Sequence, residues 1–176
     1  MSKVIVINGT GGVGKSTFVS LCHEIDSRVI ETSTINFVKE IALKAGWDGI
    51  KDAEGRRLLS DLKDALEKYH DIPNQKVEEF IQSHPDNIIF VNAREPHNIQ
   101  YYKNKYNAIA VLVVNSNAKT IKGNHADENV YDYEYYDFTI YNEKTIVELK
   151  DKAKIFMEYI NAPLTFFDSH DIIDLS

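Results

Sequence analysis

Near the amino terminus, Gly9-Thr10-Gly11-Gly12-Val13-Gly14-Lys15-Ser16-Thr17 sets glycines, a lysine and a hydroxyl in the spacing G-x-x-x-x-G-K-[ST]. Glycines so placed let successive backbone N–H groups turn inward on a phosphate chain. Lys15 can then reach the β- and γ-phosphates, and the Ser16 hydroxyl is placed to ligate Mg²⁺. The chemistry predicted is binding of a nucleoside triphosphate. Such a loop needs a strand before it and a helix after it, and both are legible. Val4-Ile5-Val6-Ile7 precedes it, and Phe18, Leu21, Cys22 and Ile25 recur at helical spacing over 17–26.

The elements that must hold the loop recur along the chain. Apolar runs alternate with amphipathic segments in the βα rhythm of a doubly wound parallel sheet. Five strands are expected, at 4–7, 28–32, 87–92, 108–114 and 137–141, rich in Val, Ile and Phe as strands buried on both faces should be. Between the second and third lies a long excursion, 33–86, that reads as two or three helices and is a place to build an acceptor site. Its clearest helix, 53–69, sets Leu58, Leu59, Leu62, Leu66 and Tyr69 against Arg57, Asp61, Asp64 and Lys68. A shorter helix near 74–83 follows Pro73, a residue suited to an early helical position. Segment 115–136 is polar and irregular, 144–160 is a final helix, and the tail from 162 reads as a strap or a frayed end. The tyrosines at 131, 133, 135 and 136, interleaved with acids, suggest an extended stretch, and Cys22 reads as a core residue.

Composition narrows the partners. The 176 residues suit one domain, and a net charge of −7, from 27 acidic against 20 basic residues, argues against a nucleic-acid polymer or an anionic membrane surface. One cysteine excludes an internal disulfide, no leader segment is recognisable, and the longest apolar run, 109–114, is too short to span a bilayer. The expectation is a cytoplasmic protein, monomer or homodimer, acting on small molecules.

A second signal lies at the last strand and helix. Tyr136-Asp137-Phe138-Thr139-Ile140-Tyr141-Asn142-Glu143-Lys144-Thr145-Ile146-Val147-Glu148-Leu149 resembles the final strand, turn and helix of small P-loop kinases. Further fragments resemble the deoxynucleoside monophosphate kinase-like branch. They are Ser33-Thr34-Ile35 with Lys39, Leu59-Ser60-Asp61-Leu62-Lys63, Arg94-Glu95-Pro96 and His125-Ala126-Asp127-Glu128. The resemblance implies a P-loop NTPase fold, three-layered α/β/α, with a five-stranded parallel sheet and a helical insertion after the second strand. It also implies ATP and Mg²⁺, phosphoryl transfer to a nucleoside or deoxynucleoside monophosphate, and a lid at 115–136. On this reading Asn142 lies near the adenine, Thr34 and Lys39 lie near the acceptor, and Arg94 grips the acceptor phosphate.

Phosphoryl transfer demands alignment and cations more than covalent work by the protein. The chain has four arginines, Arg28, Arg56, Arg57 and Arg94. Arg94 closes the third strand, at the end that opens onto the ligand crevice of a doubly wound sheet, or else it pairs with Glu95. Arg57 and Asp61 stand four residues apart, as in a surface ion pair, yet Arg56 or Arg57 can also turn toward an acceptor. Lys39 is either an acceptor contact or a solvated lysine. At the end of the third strand Asn92 stands where many P-loop proteins place an aspartate near the metal. Glu31 can supply the missing carboxylate, act as a base toward an acceptor hydroxyl, or simply end its strand. The lid has no arginine, and Lys119 and Lys122 are its candidate cations; His125 and Glu128 have no derived role. Trp47 caps the core or lines the acceptor pocket. The same scaffold also suits a kinase of another small metabolite, or a regulatory nucleotide-binding protein with little transfer. Asp52-Ala53-Glu54-Gly55 matches D-x-x-G by letters but opens a helix, which disfavours a GTPase switch, and Lys15-Ser16 disfavours a dinucleotide site.

Overall fold

The computed structural model describes residues 2–118, 130, 133–162 and 173–175. Five parallel strands stand where the apolar runs predict them: β1 (Lys3–Asn8), β2 (Val29–Ser33), β3 (Ile88–Asn92), β4 (Ile109–Val114) and β5 (Phe138–Tyr141). A short β6 (Ile173–Leu175) adds a further strand from the tail expected as a strap or frayed end. The sheet order is β2-β3-β1-β4-β5-β6, with every pairing parallel. The order reverses at β1, which puts the exit of β1 at a topological switch point, where a crevice opens in such sheets.

Side-chain alternation divides the core in two. Ile5 and Ile7 of β1 and Ile88 and Phe90 of β3 face α1 (Lys15–Ile25) and α6 (Ile146–Asn161), packing on Phe18, Leu149 and Phe156. Val4, Val6, Ile89 and Val91 face the opposite layer, α4 (Ile72–Ser83) and α5 (Pro96–Tyr106), through Val77, Ile81, Ile99 and Tyr102. Helices thus cover both faces, as an all-parallel sheet requires. Cys22 is buried in the α1 layer, and burial pushes its thiol up to about 12. Ile25, grouped with that apolar face by spacing, is instead exposed at the helix end.

The excursion after β2 contains three helices: α2 (Thr34–Lys44), α3 (Ala53–His70) and α4. Ser33 caps α2, its Oγ accepting from the Ile35 amide, and Asp52 caps α3, accepting from the Gly55 amide at 2.8 Å. The D-x-x-G letters are therefore a helix start. Gly55 is required there, because a Cβ would lie 2.1 Å from the Ile50 carbonyl oxygen. Trp47 donates to that same carbonyl and packs on the small α2–α3 core. The buried stripe of α3 is narrower than the sequence suggests. Leu59, Leu62 and Leu66 face α2, while Leu58 and Tyr69 are exposed, because α3 packs on other helices and not on the sheet. α6 opens with a reciprocal Thr145/Glu148 capping box, a T-x-x-E signature that places its start. Residues 133–135 form a single 3₁₀ turn, not an extended stretch, and Tyr136 buries its ring against the α5 layer.

Candidate functional site

At the carboxyl end of β1 the chain turns into α1 through backbone angles that side chains rarely adopt. Gly9, Gly12 and Gly14 have φ of +142°, +82° and +98°. Two of them are also pinned by neighbours. A Cβ on Gly9 would sit 2.4 Å from the Val113 carbonyl oxygen of β4, and one on Gly14 would sit 2.3 Å from Asn142 Nδ2. No side chain at Gly14 caps α1, and its first turn has no acid, so the N–H groups and positive dipole end of an eleven-residue helix face the loop. Lys15 folds back across it, donating to the carbonyls of Gly9 at 2.5 Å and Thr10 at 2.8 Å. The result is a glycine-rich turn at an uncapped helix start with an ammonium folded across it, an arrangement that can receive a polyanion.

Two asparagines brace the loop. Asn142, in the turn after β5, donates from its side chain to Val13 O at 2.8 Å and from its backbone to Val114 O at 2.7 Å. The sequence points to Asn142 through the nucleotide's base; the geometry gives it a contact to the loop itself. Asn8 is fully buried at the end of β1. Its Oδ1 accepts from the Gly9 amide at 2.8 Å, while its Nδ2 donates to Arg94 O at 3.1 Å and to the Tyr136 hydroxyl at 2.7 Å, which in turn donates to Val130 O. Sequence reasoning missed Asn8. The available signal was a polar residue closing an apolar strand directly before a glycine, since a buried amide must find partners.

Below the loop, on the α1 side of the sheet, lie two further polar strand ends. Asn92 stands beside Ile7 and Ser33 in register, and its Nδ2 donates to Glu31 Oε1 at 2.6 Å and to Thr32 O at 3.3 Å. Ser16 and Glu31 line one cavity of about 210 Å³ between α1 and β2, together with Val19, Ser20, His23, Val29 and Ile30. Glu31 also borders a second cavity, of about 270 Å³, between β2, α2 and α4, where Asn36, Phe37, Glu40, Lys76 and Phe80 meet.

Around the exit of β3, Glu95 is held by Lys63 of α3 at 2.8 Å, and Lys63 also pairs with Glu67 at 2.9 Å. Burial pushes the Glu95 carboxyl up, but the Lys63 ammonium, together with hydrogen bonds from the Glu95 backbone and Asn98, outweighs it and leaves the group below its ordinary value. Burial likewise lowers Lys63, and its two carboxylates more than reverse this. Glu95 continues through Asn98 to Asn74 and the Tyr102 hydroxyl, a polar chain that ties α3, α4 and α5 to the strand end. In the sequence Lys63 stands within the Leu59–Lys63 fragment and carries no expected role. Its i,i+4 spacing to Glu67 was visible, but Glu95 was not.

The remaining candidates are dispersed. Arg57 lies 3.8 Å from Asp61 with 85% of its side chain exposed, and Arg56 Nε donates to Lys51 O at 2.9 Å from the surface of α3. Thr34 is buried at the start of α2. Lys39 is half-buried, and burial first, then the nearby Lys51 ammonium, lowers its pKa. Arg94 is half-buried directly beyond β3. Lys119, Lys122, His125, Glu128 and Tyr131, with most of the expected lid, lie outside the described residues.

With this geometry in hand, the chain matches no protein-family model and no curated protein. Among the described residues, no group of three or more His, Cys, Asp or Glu side chains gathers as a metal-binding cluster, and no helix is long and apolar enough to cross a membrane.

Proposed function

We propose that the protein is a P-loop kinase that transfers the terminal phosphoryl group of ATP to a nucleoside or deoxynucleoside monophosphate. One observation carries the reading. The glycine-rich loop of residues 9–17, with Lys15 folded across it, sits at the switch point of a parallel sheet, beside the strand end that leads into Arg94. The inserted helices beyond β2 supply a separate cavity whose Phe37, Phe80, Asn36 and Glu40 suit a planar, hydrogen-bonding acceptor.

In this mechanism the loop amides and the first turn of α1 bind the triphosphate, and Lys15 leaves the Gly9 and Thr10 carbonyls to meet the β- and γ-phosphates. Arg94, with Arg56 or Arg57 turned inward, presents the acceptor phosphate, whose ionised oxygen needs no base. Thr34 and Lys39 remain acceptor contacts and Asn142 a contact on the adenine side. The Ser16 hydroxyl fits Mg²⁺ as a hard oxygen donor, and the ion would supply charge neutralisation on the β- and γ-oxygens. Asn8 and Asn142 keep the loop in shape, so its dipoles need no reorganisation during transfer.

Mg²⁺-dependent ADP formation across a panel of ribo- and deoxyribonucleoside monophosphates tests the reading, with Lys15→Ala and Arg94→Ala alongside. Stimulation by one monophosphate, with its diphosphate as product and loss in both variants, is the expected result. ATP binding with no stimulation by any acceptor would remove it. A neutral amide at Asn92, already engaged by Glu31 and Thr32, favours the second reading, a regulatory nucleotide-binding protein with little transfer. A kinase of another small metabolite would show itself by turnover outside the nucleotide panel.

A further inference from the structure

This inference rests on nucleotide binding at the loop and deepens it at one point. An ion held between a loop hydroxyl and a triphosphate retains several waters, and a carboxylate on the protein is the usual acceptor that also adds charge. The expected position for that charge, the end of β3, holds the neutral Asn92. We infer that Glu31, on the neighbouring edge strand, is the carboxylate that receives the hydration shell of Mg²⁺ at Ser16, and that Asn92 is the positioning residue that orients it.

Three independent features converge. Strand alternation sends Val29, and hence Glu31, to the α1 side of β2, and sends Ile88, Phe90 and hence Asn92 to the same side of β3. Both side chains therefore lie on the face that carries α1 and Ser16. The Asn92 amide then donates to Glu31 Oε1 at 2.6 Å, which holds the carboxylate of this exposed edge residue beside the end of β3. Finally, Ser16 and Glu31 share one cavity, in which Glu31 is the one acidic lining residue. The other titratable group there, His23, commits Nδ1 to Val29 O at 2.8 Å. An amide at the strand end cannot supply charge, but its N–H can hold a charge supplied from one strand further out. This arrangement assigns Glu31 to the metal's water shell in preference to a base or an unengaged strand-end acid.

The test measures nucleotide affinity, not turnover. A fluorescent ADP analogue is titrated into the whole protein with Mg²⁺ and with chelator, and Mn²⁺ is substituted for Mg²⁺ so that spin resonance reads the bound ion directly. Mg²⁺ is expected to tighten nucleotide binding to the unaltered protein. Glu31→Gln should weaken the Mg²⁺ complex by about tenfold, the worth of a charge-assisted hydrogen bond, while leaving metal-free affinity unchanged. Asn92→Ala should lose part of that effect. The exchange Glu31→Gln with Asn92→Asp should recover it, because the charge returns to the site from the adjacent strand. Metal-free affinity doubles as the control for folding. Full Mg²⁺ enhancement retained in Glu31→Gln would overturn the inference while leaving the nucleotide site intact. No analogue binding by the unaltered protein would instead overturn the functional reading, and this inference with it.

Discussion

At the carboxyl end of β1 two of the three strained glycines, Gly9 and Gly14, are held by distant parts of the chain, whereas on α3 two arginines stand in solvent. Gly9 lies under the β4 carbonyl of Val113, Gly14 lies against Asn142 beyond β5, and the Gly9 amide is tied to buried Asn8. By contrast Arg57 has a 3.8 Å contact to Asp61, and Arg56 a bond to a neighbouring carbonyl. The lesson is one of preorganisation. A site that binds a polyanion through fixed amide dipoles needs them rigid beforehand, while long cationic side chains on a surface helix can swing to an acceptor after it arrives. Between these extremes lies the Lys63–Glu95 pair, which fastens the inserted helices to the rigid side.

The sharpest way to break the rigid side is Gly9→Ala. Its new methyl would meet backbone, which cannot swing away, so we expect a loss of about 3 kcal/mol in chemical denaturation together with loss of nucleotide binding. An unchanged midpoint would show that the loop is more pliant than its contacts imply. Next comes the fastening. Lys63→Met strands a largely buried carboxylate and should cost about 2 kcal/mol near neutral pH, below the range for fully buried pairs because Glu95 keeps some solvent access.

The pH dependence of that second effect has a definite sign. Glu95 is depressed, so its contribution is present above the ordinary carboxylate value of 4.5 and is lost as the pH falls through the lowered one. Lys63 is raised, so its contribution is present below the ordinary value of 10.5 and is lost only as the pH rises through its raised value. The difference in unfolding free energy between parent and Lys63→Met should therefore be flat from about pH 5 to 10 and shrink in acid. A difference independent of pH down to acid would assign the cost to packing.

Gly12→Ala sharpens the contrast within the loop. Nothing lies within 4 Å of its Cβ position, so only the left-handed backbone resists, and a loss of about 1 kcal/mol is expected. A loss equal to that at Gly9 would mean that conformation, not contact, dominates the loop. The smallest effect belongs to Arg57→Ala, within about 0.5 kcal/mol in stability, as for other exposed ion pairs. A rise in acceptor KM in that same variant would show that the arginine turns inward during turnover.

Legibility in the sequence followed the range of the interactions. The loop was readable because glycine spacing and a strand-then-helix context are local. The central strands β1, β3 and β4 were readable because they are buried on both faces and so are apolar almost throughout, as in Ile109–Val114, whereas the edge strand β2 announces itself only by Val29 and Ile30. Asp52 was readable as a helix start because its signal, like that of the loop, is local. The stripe on α3 was overread because five apolar residues at helical spacing say nothing about how wide a neighbour covers them, and Leu58 and Tyr69 stayed outside. The short strand at 173–175 was not readable, because its pairing is with β5 and not with anything near it in sequence.

By itself, then, the amino-acid sequence determined the glycine-rich loop and the βα rhythm that carries it, since both depend on torsional preferences and burial patterns within a few residues. Tertiary structure decided the company the loop keeps. Glu31 and Asn92 are 61 positions apart, and Asn8 and Tyr136 are 128 apart. Strand order and register bring these pairs into hydrogen-bond distance, and neither is encoded in any local stretch of chain.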